Sequence, residues 1–135
     1  MWLVERPMPD VIRFELPMAL PSLNRRDRQH WSVRRREKQQ LTLEVVGAIG
    51  GPARFPPAPW PYAKIVVTRR SAGRLDHDNL YASFKALGDV LQKLKIIETD
   101  ASDRLHLVMR QGVAKRGQAS TLVTIEGRSR PFLFG

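Results

Sequence analysis

Apolar and polar residues alternate from Val11 to Leu16 (VIRFEL), with Ile12, Phe14 and Leu16 on one side and Val11, Arg13 and Glu15 on the other. A period of two is that of a half-buried strand. Pro17 and Pro21 close it, and a polar, arginine-rich stretch from Leu20 to Arg36 leads into a different pattern. Leu41, Val45 and Ile49 recur at helical spacing, which predicts a helix with Ser32 as N-cap and Gly50-Gly51-Pro52 as its stop. Only the later turns of that helix have an apolar face. Five prolines between Pro52 and Pro61 then make a loop.

Ala63 to Thr68 (AKIVVT) is strongly β-prone and predicts a central strand. After it, Leu80, Phe84, Leu87, Leu91 and Leu94 are spaced by four, three, four and three, the clearest helical stripe in the chain. Leu105 to Arg110 and Leu122 to Glu126 are further strand candidates. The Ala114-Lys115-Arg116-Gly117 turn between them suggests an antiparallel hairpin. The expectation is a single α/β (α+β) domain over 1–135, with a mixed sheet and two main helices in the order β-α-β-α-β-β. Residues 1–10 and 128–135 read as loose termini.

Charge narrows the partner. Lys and Arg outnumber Asp and Glu by 23 to 13, a formal charge of +10. Such a surplus repels itself unless an anion is bound, and nucleic acid is the commonest one. No stretch reaches the length of a membrane-spanning helix, and no signal-peptide pattern opens the chain, so a cytoplasmic protein without a membrane partner is expected. With no cysteine and three scattered histidines (His30, His77, His106), zinc lacks its usual ligands. A metal, if bound, is a hard cation held by oxygen.

The acidic residues are unevenly placed. None occurs from Val45 to Leu75; Asp76 and Asp78 then arrive together, followed by Asp89, Glu98, Asp100 and Asp103. In an extended loop alternate residues point the same way, so Asp76 and Asp78 can face one point. Two carboxylates with waters and phosphate oxygens suit Mg²⁺, which polarises a phosphodiester and acidifies an attacking water. The plainer alternative is a helix start, with Asp78 or Asn79 as N-cap and the charges facing the helix dipole. Lys85, seven residues after Asp78, falls two turns along on nearly the same helical face and off the leucine stripe. It either contacts phosphate or pairs with Asp89 at i,i+4.

The segment L-D-H-D-N-L-Y-A-S-F-K-A-L-G-D-V-L, then I-I-E-T-D, resembles the RusA family of Holliday junction resolvases, especially its phage-type members. The earlier P-S-L-N-R-R-D-R-Q-H-W is similar to that family's lead-in segment. Together the two blocks cover most of the chain, from about Ile12 to Glu126. The resemblance implies a homodimeric, Mg²⁺-dependent endodeoxyribonuclease (Mn²⁺ being the alternative ion) that resolves four-way DNA junctions. It implies Asp76 and Asp78 as metal ligands and Lys85 as a functional lysine. It also implies a third aspartate after the helix, for which Asp100 keeps the family's distance and Asp103 is the alternative.

Arg25, Arg26, Arg28, Arg34, Arg35, Arg36 and Lys38 crowd one region opposed only by Asp27 and Glu37. Such a patch either contacts DNA phosphates or forms a solvated helix face. Arg69, Arg70 and Arg74, just before Asp76, are placed to hold a strand over the metal. Lys115 and Arg116 form a weaker third candidate. Asn24, His30 and Trp31 match the family's lead-in segment, and the resemblance implies that they shape the site or the junction-binding surface, with Asn24 and His30 as DNA-binding residues. His30 is also readable as a structural hydrogen-bonding residue and Trp31 as a core residue. Two other functions remain open from sequence: a nuclease preferring flaps or forks, and a non-catalytic DNA-binding protein with a degenerate site.

Overall fold

A computed structural model describes residues 10–22 and 31–131, with Trp31 through its backbone alone. Asn24, Arg25, Arg26, Arg28 and His30 lie outside the described residues, as do 1–9 and 132–135. The elements are β1 (Val11–Leu16), α1 (Trp31–Ile49), a 3₁₀ turn (Pro52–Arg54), β2 (Tyr62–Ser71), α2 (His77–Ala82), α3 (Lys85–Lys93), β3 (Leu105–Val113) and β4 (Ser120–Arg128). The expected α+β domain, with one mixed sheet and helices after the first and second strands, is the observed one.

The four strands lie in the order β1-β4-β2-β3. β4 is antiparallel to both β1 and β2, while β3 is parallel to β2. The expected β3–β4 hairpin is therefore incorrect. Helices α2 and α3 carry the chain from the end of β2 back to its start, so the next strand must run parallel. β3 then finishes beside Ser71, and residues 114–119 cross over the end of β2, with Ala114 N donating to Ser71 O at 3.2 Å. Gly117, at φ 84°, makes the reversal. Lys115 and Arg116 are exposed on this crossing loop and not at a hairpin tip.

Period-two alternation sorts the sheet into two faces. Ile12, Phe14 and Leu16, then Val123 and Ile125, then Ala63, Ile65 and Val67, and finally Met109 are buried on one of them. On that side α1 contributes Leu41, Val45 and Ile49, and α2 and α3 contribute Leu80, Phe84, Leu87 and Leu91. Exposed Arg34 to Glu37 confirm that only the later turns of α1 have a buried face. Ser32 stands inside α1 and is not its N-cap.

The leucine stripe is cut into two helices rather than one. Ser83 Oγ donates to Leu80 O at 2.6 Å, and Phe84 N bonds Tyr81 O at 3.2 Å. A hydroxyl bonded back onto the preceding turn, combined with tighter i to i+3 bonding, bends a helix at that point. The stripe stays buried across the bend. At the far end Lys95 N bonds Gln92 O at 3.0 Å and Ile96 N bonds Leu91 O at 3.0 Å. This is a Schellman stop, with Lys95 at φ 60° where glycine is usual.

Candidate functional site

The Asp76-x-Asp78 segment sits where β2 ends and α2 begins. Asp76 itself is the N-cap: its Oδ1 accepts from Asn79 N at 2.8 Å and its Oδ2 from Asn79 Nδ2 at 3.0 Å. The expected caps, Asp78 and Asn79, are instead inside the first turn of α2. Asp78 faces the positive end of that helix and, like Asp76 and His77, is exposed. The His77 ring packs on Tyr81 with centroids 4.7 Å apart.

Three sets of contacts tie this loop and the helix after it to the sheet. Gln111 on β3 takes the Leu75 backbone at both ends, accepting from Leu75 N at 2.8 Å and donating to Leu75 O at 2.9 Å. Arg69, the register partner of Gln111, donates from Nε to Leu20 O at 2.8 Å and from Nη1 to Gly73 O at 3.2 Å. The Tyr81 hydroxyl accepts from Met109 N at 3.5 Å. Gln111 and Arg69 both lie on the face toward the helices, at positions where alternation would place apolar residues. A polar residue breaking the buried phase of a strand was the signal that could have found them.

Arg69 is correspondingly buried, and desolvation lowers its guanidinium from the ordinary value. A buried cation whose donors meet backbone carbonyls positions the chain; it does not offer itself to phosphate. Arg70 and Arg74 are exposed, as are Arg34 and Arg35 at the start of α1.

Lys85 opens α3 instead of continuing one helix from Asp78, so the expected two-turn relation is interrupted by the bend. Its Nζ lies 3.8 Å from Asp89 Oδ1, the i,i+4 pairing, and Lys38 Nζ reaches the other oxygen of Asp89 at 3.4 Å. Asp89 thus joins α1 to α3, and Lys38 is drawn out of the basic run. Asp100 comes down on α3 at Gly88, where an added Cβ would stand 3.4 Å from Asp100 Oδ2 and 2.8 Å from Phe84 Cε2. Asp103 is exposed on the following turn.

Among the described residues, no three His, Asp or Glu side chains form a group able to hold one metal ion. Asp76, Asp78 and Asp100 are therefore not assembled as a three-carboxylate centre. Asp76 and Asp78 do suit a largely hydrated Mg²⁺. Both are exposed, and a carboxylate that accepts one hydrogen bond per oxygen keeps a free lone pair on each. Comparison with protein-family models and with curated proteins finds no match for this chain.

Proposed function

We propose that the chain is a metal-dependent endodeoxyribonuclease acting on branched DNA, of the RusA-like kind, and that it works as a homodimer on four-way junctions. The observation carrying this is the exposed Asp76-x-Asp78 pair, fixed on β3 by the Gln111 clamp and flanked by exposed Arg70 and Arg74. In a chain of charge +10, an acidic pair held rigidly beside arginines separates a phosphate-binding surface from a cation-binding point.

Asp76 and Asp78 would hold the Mg²⁺ ion, which supplies Lewis-acid polarisation of the phosphodiester and an acidified water. Asp100 is the carboxylate assigned as third ligand by the resemblance, with Asp103 as its alternative. Arg70, Arg74, Arg34 and Arg35 supply phosphate contacts that orient the strand, while Arg69 and Gln111 fix the loop. Lys85, tethered to Asp89 by a long exposed pair, can swing to a phosphate at little cost. A four-way junction has approximate two-fold symmetry, and an isologous dimer presents two equal sites to it.

Cleavage of a mobile four-way junction, a flap and a plain duplex, compared with Mg²⁺ and with Mn²⁺, tests this reading. The junction should be nicked in preference to the others, at paired positions. If no branched substrate is nicked with either ion, the nuclease reading fails.

A second reading is favoured by the capping bonds of Asp76 and the dispersed carboxylates: a DNA-binding protein without catalysis. It predicts junction binding that no substitution at Asp78 converts into a loss of cutting, because there is no cutting to lose.

A further inference from the structure

Three polar side chains stand in one row across the inward face of the sheet. Gln111, Arg69 and Thr121 are register partners on β3, β2 and β4. Gln111 holds Leu75, and Arg69 holds Gly73, on the stretch that leads to Asp76. The same row grips a second segment. Arg69 Nε donates to Leu20 O at 2.8 Å, and Thr121 Oγ1 donates to Met18 O at 2.7 Å. Arg69 and Thr121 are both buried, and a buried donor committed to a backbone carbonyl fixes that backbone. Residues 18–21 are therefore a preset wall, tied to the same row as the loop that carries the carboxylates.

That wall does not close on the helices. Between it, Leu41 of α1 and Ala86 of α3 lies a cleft of about 260 Å³. Its interior is apolar, with Leu20, Leu41 and Ala86 buried and Met18, Ala19 and Pro21 half-buried. Arg34 and Lys38 stand at its rim, with Glu37 and Gln40 beside them. Lys38 reaches Asp89, which also pairs with Lys85, the neighbour of Ala86. The rim thus runs into the cations of the candidate site.

We propose that this cleft captures one unpaired nucleobase of a bound DNA strand, beside the Asp76-x-Asp78 loop. An apolar interior under a cationic rim asks for an apolar-faced body joined to an anion. A nucleotide is that: its base faces would bury against Leu20, Leu41 and Ala86 while its flanking phosphates meet Arg34 and Lys38. An apolar peptide side chain would fill the interior but leave those cations unanswered. The volume falls just below the roughly 300 Å³ at which sites for drug-sized ligands begin, which suits a single base. A base already unpaired costs least to draw in, so branched DNA is favoured over plain duplex. The inference rests on the preceding reading only for DNA binding and requires no cutting.

The test places 2-aminopurine at each nucleotide flanking the branch of a four-way junction and reads it in EDTA, where nothing is cut. Among the described residues no aromatic side chain lines the cleft, so a captured probe should brighten several-fold at one position and be shielded from acrylamide. Wild type should bind that junction about tenfold tighter than one with an abasic nucleotide at the same position, the lower part of what holding one base contributes. Ala19→Leu fills the cleft from its half-buried wall and Ala86→Met from α3, with circular dichroism to confirm folding. Either variant should abolish the shielding and bring the two affinities together. A probe that stays dim, or bright yet open to acrylamide, at every position would overturn the capture. So would equal wild-type affinity for the two junctions, or shielding that persists in both variants. A junction cut under Mg²⁺ with no shielded base would sink this proposal alone, and a shielded base in a protein that never cuts would sink only the nuclease reading.

Discussion

Gln111 grips Leu75 by both backbone atoms, with its amide oxygen 2.8 Å from Leu75 N and its amide nitrogen 2.9 Å from Leu75 O. Because Leu75 directly precedes the cap of α2, this pair of bonds sets where Asp76 and Asp78 stand relative to the sheet. Gln111→Leu removes both bonds and leaves two part-buried backbone groups unmatched, a loss of about 1–3 kcal/mol in chemical denaturation. Gln111→Glu can no longer donate to Leu75 O and should fall between the two. For both variants junction cleavage should drop further than stability does, since the loop that carries the carboxylates is freed.

Asp76 has two roles that can be separated. Asn is as good an N-cap as Asp, so Asp76→Asn should melt within about 0.5 kcal/mol of wild type, whereas Asp76→Ala should lose about 1 kcal/mol. If the carboxylate also holds metal, both variants lose Mg²⁺-dependent cutting equally. Cutting that follows the stability series instead would reduce Asp76 to a capping residue.

Lys95 ends α3 in the left-handed region that a side chain disfavours. Lys95→Gly should therefore stabilise the protein, by about 0.5–1 kcal/mol in thermal or urea unfolding, even though it deletes a side chain. On the proposed reading DNA cleavage should be unchanged, because Lys95 stands at the opposite end of the helical arm from Asp76.

Asp89 bridges Lys38 and Lys85 at 3.4 and 3.8 Å with its side chain about a quarter exposed. Asp89→Asn should cost at most about 1 kcal/mol, the range of partly solvated pairs. It releases two cations onto the surface, so junction affinity measured at low salt should rise and its salt dependence should steepen. Unchanged affinity would place Lys38 and Lys85 away from the DNA.

How much of this was legible in the sequence depends on the range of the forces involved. β1 followed from period-two alternation and α1 from the spacing of Leu41, Val45 and Ile49, because burial on one face writes itself into the order of residues, while the core of β2 followed from its run of β-prone residues. The stripe from Leu80 to Leu91 was equally clear, yet the bend at Ser83 was not, since it arises from one hydroxyl choosing the Leu80 carbonyl. Strand pairing is hidden from the sequence for a different reason. The turn between β3 and β4 is compatible with a hairpin, but the crossover through α2 and α3 fixes β3 parallel to β2 and leaves β4 the centre of the sheet. Within the candidate site the sequence offered Asp76, Asp78 and the flanking arginines as a set. Arg69 and Arg70 read alike as a basic pair, although Arg69 falls on the inward phase of β2; what it does there depends on a contact 49 residues away at Leu20.

On the proposed reading the Asp76-x-Asp78 pair supports phosphodiester cleavage rather than only capping a helix. The most direct measurement is Mg²⁺-dependent nicking of a four-way junction by Asp78→Asn, with junction affinity measured on the same preparation. Asp78 is exposed and has no part in the cap, so folding should be intact. Cleavage should fall by about a hundredfold or more while binding holds or tightens as a negative charge leaves the DNA surface. Cleavage at the wild-type rate by this variant would contradict the assignment.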